Sequence, residues 1–171
     1  MNVFLTGNIQ VGKSTAIRRF LLKSGLIADG FMTYWELDSD KCRNLYLSPY
    51  SIDTLSVKRT FIASDCGNGL MAAENISSAF DVQGSAILYS SGRHDIIVMD
   101  ELGFLETKST LFQQAVLHCV FGDVPVLGVI KPVKTKFLDT IRDCQNVIVR
   151  EVTLKSADTV LAWLTTLNWS W

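Results

Sequence analysis

The stretch Gly7-Asn8-Ile9-Gln10-Val11-Gly12-Lys13-Ser14, followed by Thr15, decides the fold. It fits G-x-x-x-x-G-K-[ST] at every fixed position, a match expected by chance in roughly one chain in a hundred of this length. Glycines let backbone N–H groups curl around phosphate oxygens without a Cβ in the way. A helix opening at Lys13 aims the positive end of its dipole at the same anion. The Lys13 ammonium reaches the β- and γ-phosphates, and the Ser14 hydroxyl is placed to ligate Mg²⁺. The candidate phosphate-binding residues are therefore Gly7, Asn8, Ile9, Gln10, Val11, Gly12, Lys13, Ser14 and Thr15. The flanks supply the required setting. Val3-Phe4-Leu5 reads as a buried strand, and Ala16, Ile17, Phe20 and Leu21 recur at helical spacing up to a stop at Gly25.

A second acidic signal lies at Asp95-Ile96-Ile97-Val98-Met99-Asp100-Glu101. An unbroken apolar run is expected of a strand covered on both faces. It ends in two carboxylates, at the end of the strand where ligands sit in an open parallel sheet. Asp100 is the candidate partner of Ser14 in holding Mg²⁺, the Walker B role. Glu101 is the candidate catalytic carboxylate, orienting the attacking water or taking its proton, with Lys13 as the second catalytic group. An Asp-Glu pair favours hydrolysis over transfer to a bound acceptor. P-loop proteins with this glutamate place another strand between the phosphate-loop strand and the Asp-Glu strand, and Val124–Ile130 is the natural candidate. Lys131 or Lys134, at its end, would then face the γ-phosphate.

The rest of the chain alternates. Helices are predicted over 73–90, from Ser109, over Lys136–Asp143 and over Ala157–Leu167, with a further strand at Val147-Ile148-Val149. Between Phe31 and Ile62 three aromatic or β-branched runs, 31–35, 45–47 and 57–62, are punctuated by Asp38-Ser39-Asp40 and Ser48-Pro49-Tyr50. They predict a strand followed by an antiparallel excursion. The whole predicts one α/β domain over 1–171, with a mostly parallel sheet of six or seven strands.

Composition agrees. Of the 171 residues 48% are hydrophobic and 19% charged, with a net charge of −1, which excludes a disordered chain and argues against a dedicated nucleic-acid binder. No apolar run nears the roughly 20 residues that span a bilayer, and the N-terminus lacks a secretory pattern. A cytoplasmic location follows as the expectation. The four cysteines, Cys42, Cys66, Cys119 and Cys144, form no C-x-x-C pair and read as reduced thiols, two or more of them buried. His118 falls in a helical pattern and reads as packing or surface. Arg18, Arg19, Arg43, Arg59 and Arg93 are the candidates for an arginine finger, each more simply a surface residue. Trp163, Trp169 and Trp171 predict a C-terminal helix and tail docked on the sheet, with self-association or a partner surface as the alternative.

Together these segments resemble the small single-domain P-loop nucleoside triphosphatases named for thermophile members, a family that includes the cancer-related nucleoside triphosphatase. Leu5-Thr6-Gly7 leads into Val11-Gly12-Lys13-Ser14-Thr15. Gly30-Phe31-Met32-Thr33 is similar to the family's G-F-x-T segment. Ile97 to Glu106 is similar to its D-E-[IL]-G-x-[ML]-E stretch, and Val124-Pro125-Val126-Leu127-Gly128-Val129-Ile130 to the strand that follows. The resemblance implies a three-layer α/β/α P-loop fold and Mg²⁺-dependent hydrolysis of nucleoside triphosphates to diphosphates with loose base selectivity. Two departures stand out. Gln10 replaces a common glycine, and Glu151 to Ser156 lacks the Asn-Arg often found after the last strand. No Asn-Lys-x-Asp guanine motif is present. The alternatives are a nucleotide or small-molecule kinase, for which residues 38–70 could form an acceptor pocket, and a nucleotide-dependent binding switch with negligible turnover.

Overall fold

The computed structural model describes residues 1–39, 41–52, 58–90 and 94–169. Asp40, Val57, Arg93 and Trp171, which the sequence reading used, lie outside the described residues.

Strand β1 (Asn2–Thr6) leads through the phosphate loop into helix α1 (Lys13–Ser24). Ala16, Ile17, Phe20 and Leu21 are its buried stripe, as the spacing predicts. Gly25 ends it with φ +71, donating its N–H to the Leu21 carbonyl at 3.1 Å. Strand β2 (Ala28–Leu37) turns into the excursion β3 (Arg43–Pro49), β4 (Thr60–Asp65) and β5 (Leu70–Ala72). Helix α2 follows in three consecutive pieces, Ile76–Ser78, a π-helical turn Ala79–Gly84, and Ser85–Leu88. Then come β6 (Ile96–Leu102), α3 (Thr110–Phe121), β7 (Val126–Ile130), α4 (Lys136–Arg142), β8 (Val147–Glu151) and α5 (Ala157–Thr166).

Among the described residues the sheet runs β5-β4-β3-β2-β6-β7-β1-β8, eight strands. The pairs β2–β6, β6–β7, β7–β1 and β1–β8 are parallel, and the excursion is antiparallel. Strand β7 separates the phosphate-loop strand from the Asp-Glu strand, as the Asp100-Glu101 pair predicts. The strand beyond the predicted six or seven is β5. It is three residues long and exposed at every position, so it carries no burial pattern to read.

Alternation along the buried strands divides the core between two faces. Phe4, Phe31 and Met99 point to one, where Phe80 of α2, Phe112 of α3 and Leu138 of α4 cover them. Val3, Leu5, Val98 and Leu127 point to the other, under Ile17 and Phe20 of α1 and Val160 and Leu164 of α5. This is the predicted three-layer α/β/α stack. Phe112, fully buried, meets Phe31 and Phe80 with ring centroids 5.2 and 5.0 Å away, and its ring fills the space a Cβ on Gly84 would need. The C-terminal helix docks as predicted, and Trp169 packs on Phe20 at 5.1 Å while its Nε1 donates to the Leu164 carbonyl. Among the described residues no helix is long and apolar enough to cross a membrane.

Contrary to the expectation from their spacing, the four cysteines are not all reduced thiols, and fewer than two of them are buried. Cys42 and Cys66 form a disulfide, so only Cys119 and Cys144 are free, and Cys119 alone of the four is buried. The cause is tertiary. Pairing Arg43 with Asp65 across β3 and β4 sets the two cysteines opposite each other although they are 24 positions apart in sequence.

Candidate functional site

The parallel strands β1 and β6 end on the same side of the sheet, which brings the phosphate loop and the Asp-Glu pair together. The loop is shaped by backbone geometry. Gly7 sits at φ +127, and a Cβ there would lie 2.3 Å from the Val152 carbonyl oxygen. Gly12 sits at φ +93 as the cap of α1, leaving the first-turn N–H groups without a side-chain partner and open to an anion. Gln10 adopts φ +60, a left-handed conformation that a glycine would take at less cost, so the departure at this position keeps the loop's shape.

Lys13 is buried, and its ammonium folds back on the loop, donating to the carbonyls of Gly7 at 2.9 Å and Asn8 at 2.5 Å. Burial lowers its pKa, against the pull of Glu101 and Asp100. The Ser14 hydroxyl donates to Asp100 at 3.0 Å, tying α1 to β6. Asp100 is 6% exposed, and burial pushes its carboxyl up to about 7 despite that hydrogen bond. A carboxylate with a strong desolvation cost and a neighbouring hydroxyl is an oxygen-donor pair that a hard divalent cation would stabilise. Among the described residues no group of three or more His, Cys, Asp or Glu could hold a metal by itself. Such an ion would need phosphate oxygens to complete its shell.

Glu101 faces the cleft, half-buried, and pairs with Lys131 of the β7 end at 2.7 Å. Thr33 of the Gly30-Phe31-Met32-Thr33 segment accepts a hydrogen bond from the Glu101 N–H at 3.4 Å. Lys134 is exposed and lines no described cleft. Among the described residues, two clefts beside the loop stand out. One, of about 510 Å³, holds Lys13, Ser14, Thr33, Asp100, Glu101 and Lys131. The other, of about 390 Å³, shares Ser14, Thr15 and Asp100 and is walled by Arg18 and Tyr50. Burial, reinforced by Asp100, raises the Tyr50 phenol to about 12.

The arginine candidates separate. Arg18 and Arg19 border the smaller cleft and Arg43 the larger. Arg19 pairs with Asp158, and Arg59 pairs with Glu36 over the Tyr46 ring. His118 is exposed and stacks on Tyr89, away from the site. The sequence reading missed Thr33, Tyr50 and Glu106 as neighbours of the site. Glu106 is 2% exposed and accepts a hydrogen bond from the Gly103 N–H, which pins the turn after the Asp-Glu pair, and burial raises its pKa. Its place in the D-E-L-G-F-L-E run was the available signal.

A phosphate loop tied by Ser14–Asp100 to an Asp-Glu strand defines a P-loop nucleotide hydrolase architecture. Comparison with known proteins makes this particular. The family model described as NTPase matches residues 2–165. The nucleoside-triphosphatase THEP1 of Methanocaldococcus jannaschii is 31% identical over 135 residues, 75% of this chain and 76% of its own length. The nucleoside-triphosphatase THEP1 of Thermotoga maritima is 23% identical over 163 residues, covering 94% and 91%. Among solved structures, the fold matches THEP1 from Aquifex aeolicus with a TM-score of 0.74 at 20% identity, covering 96% of each chain. It also matches a human cancer-related nucleoside triphosphatase with a TM-score of 0.69 at 27% identity, covering 96% of this chain and 95% of that one. The chain belongs to the NTPase family, whose activity is hydrolysis of nucleoside triphosphates.

Proposed function

We propose that this chain is one domain that hydrolyses nucleoside triphosphates to diphosphate and phosphate in a Mg²⁺-dependent reaction, with the roles divided as follows. The backbone N–H groups of Gly7 to Thr15 bind the phosphates. Lys13 leaves the Gly7 and Asn8 carbonyls and donates to the β- and γ-phosphate oxygens. That exchange swaps neutral acceptors for anionic ones and so strengthens each hydrogen bond. Ser14 and Asp100 hold the cation, which, when bound, neutralises charge developing on the phosphate oxygens. Glu101 orients the attacking water and takes its proton. A cavity of about 10 Å³ beside Glu101, bordered by Thr33, Glu106 and Lys131, is water-sized.

The observation that carries this reading is the convergence of Lys13, the Ser14–Asp100 pair and Glu101 on one cleft. The sequence also fits a cytoplasmic setting, and the glutathione pool there would govern whether Cys42–Cys66 is closed.

The test is phosphate release from a panel of nucleoside triphosphates, with and without Mg²⁺, by the parent chain and by Glu101→Gln. The parent should turn over only with Mg²⁺. The variant should bind nucleotide as before and release phosphate at least about 100-fold more slowly. Unchanged hydrolysis in the variant would remove Glu101 from this role.

A further inference from the structure

The phosphates, their cation and one water account for the end of the cleft lined by Lys13, Ser14, Asp100 and Glu101, yet the cleft has about 510 Å³ in all and its lining extends well beyond those residues. Its excess volume runs away from Lys13 towards the excursion. There it is walled by Trp35, Arg43, Asp65 and Leu70, with Ile9 from the phosphate loop and Phe104 from the turn after β6. Four of these are large apolar side chains left open to solvent: Ile9 is 81% exposed, Phe104 47%, Trp35 38% and Leu70 38%. Exposed apolar groups scattered singly need no explanation, but four gathered in one cleft form a wall for a ligand.

The polar groups are arranged around that wall. The Arg43 guanidinium lies 4.9 Å from the Trp35 ring centre, and Lys131 Nζ lies 5.5 Å from that of Phe104. Arg43 and Asp65 are register partners across β3 and β4, so a hydrogen-bond donor and an acceptor stand side by side at the far end. The disulfide joins the residues next to both, Cys42 and Cys66, and fixes that end of the wall. The Trp35 ring with the Arg43 guanidinium over it, the Asp65 acceptor beside Arg43, and Lys13 with Glu101 at the other end match a heteroaromatic base on a sugar that carries a hydroxyl group.

We propose that this cleft binds a second small molecule of the nucleoside class, whose hydroxyl accepts the γ-phosphoryl group in place of water. The inference rests on the assignment of Glu101 above, since the same carboxylate takes the proton. The hydroxyl oxygen bonds to the γ-phosphorus as the bond from that phosphorus to the β,γ-bridging oxygen breaks. The hydroxyl proton passes to Glu101, and the nucleoside diphosphate leaves with the bonding pair. No oxidant or reductant is needed. Hydrolysis is the outcome when the cleft holds only water.

The experiment incubates the full chain with Mg²⁺ and ATP, adding adenosine, guanosine, cytidine, uridine or thymidine in turn. Phosphorus NMR then separates phosphomonoester from inorganic phosphate. At least one nucleoside should yield a monoester while phosphate release falls. Trp35→Ala and Leu70→Ala should each cut monoester formation at least tenfold, leaving phosphate release without nucleoside and the KM for ATP within twofold of the parent. Phosphate as the sole product with every nucleoside overturns the inference and leaves the hydrolase reading standing. A parallel rise in the KM for ATP in Trp35→Ala also overturns it, because the cleft would then hold the nucleoside of ATP itself. Absence of both products overturns the hydrolase reading as well.

Discussion

Lys131 Nζ lies 2.7 Å from a Glu101 carboxylate oxygen; Glu101 is in β6, and Lys131 is the first residue after the neighbouring parallel strand β7. The pair is held firmly. The Lys131 N–H donates to the Leu102 carbonyl at 2.8 Å, and its own carbonyl accepts from Arg142 at 2.6 Å. Its side-chain stem lies where a Cβ on Gly103 would sit, 2.9 Å from Cδ. We propose that this cation, fixed beside the candidate catalytic carboxylate, stabilises charge that develops on the γ-phosphoryl group.

Lys131→Met should therefore lower kcat by about 100-fold with little change in KM, the usual cost of losing one preorganised electrostatic group. Lys131→Arg should retain part of the rate. Lys134→Ala, at an exposed position outside both clefts, should change neither constant. Steady-state phosphate release distinguishes the two lysines. An equal loss in the Lys134 variant would refute the assignment.

Gly30 shows why one segment of the family resemblance exists. It sits at φ +119, and a Cβ there would lie 2.1 Å from the Val98 carbonyl oxygen, inside the parallel β2–β6 pairing. Gly30→Ala should cost at least about 3 kcal/mol, because both the backbone conformation and the strand contact must yield. Gly25→Ala is the control. Its φ is +71 but its surroundings are open, so about 1 kcal/mol is expected. Urea denaturation of both variants checks the contrast, and similar midpoints would show that the strand contact at Gly30 relaxes without cost.

The parallel half of the molecule was legible because burial on both faces writes itself into the sequence as apolar runs, as in Val98-Met99 and Val126-Leu127. The phosphate loop was legible because backbone geometry and chemistry there leave few residue types free. The excursion was legible only in outline. Its strands are half exposed, so β5 left no pattern, and the Cys42–Cys66 bond depends on a register that spacing cannot reveal. Lys131 and Lys134 were equivalent in sequence, and the turn after β7 is what separates them. Thr33, Tyr50 and Glu106 approach the site from three different segments, and only their convergence marks them.

The disulfide makes a simple count. Denatured without reductant, the chain should titrate two thiols, rising to four after reduction, rather than the four reduced thiols that the cysteine spacing suggests. In the folded state Cys119 should react slowly at pH 8, since it is 6% exposed and burial raises its thiol to about 11. Closing a loop with a separation of 24 residues should stabilise the fold by about 3 kcal/mol. Unfolding midpoints of the parent and of the Cys42→Ser, Cys66→Ser double variant, both without reductant, measure that contribution. Four thiols before reduction would show that the bond does not form in solution.

The cation-holding role proposed for Asp100 would set stability against function. Burial holds its carboxyl at about 7, above the value of about 4 in an unfolded chain. A raised carboxyl pKa means that the folded state binds the proton more tightly. Stability is then complete below about pH 4, falls as pH rises from about 4 to about 7, and levels off above that. In metal-free protein at pH 8, ionised Asp100 should cost on the order of 2–4 kcal/mol. Asp100→Asn removes the charge and can keep the Ser14 hydrogen bond, so with a chelator present it should be more stable than the parent at pH 8 and nearly equal to it at pH 4. Mg²⁺ with nucleotide should reverse the order, stabilising the parent through its carboxylate and the variant little. Thermal melts at the two pH values, with chelator and with Mg²⁺ plus nucleotide, test the whole scheme. A variant less stable than the parent at pH 8 in chelator would mean that the folded state already offsets the buried charge.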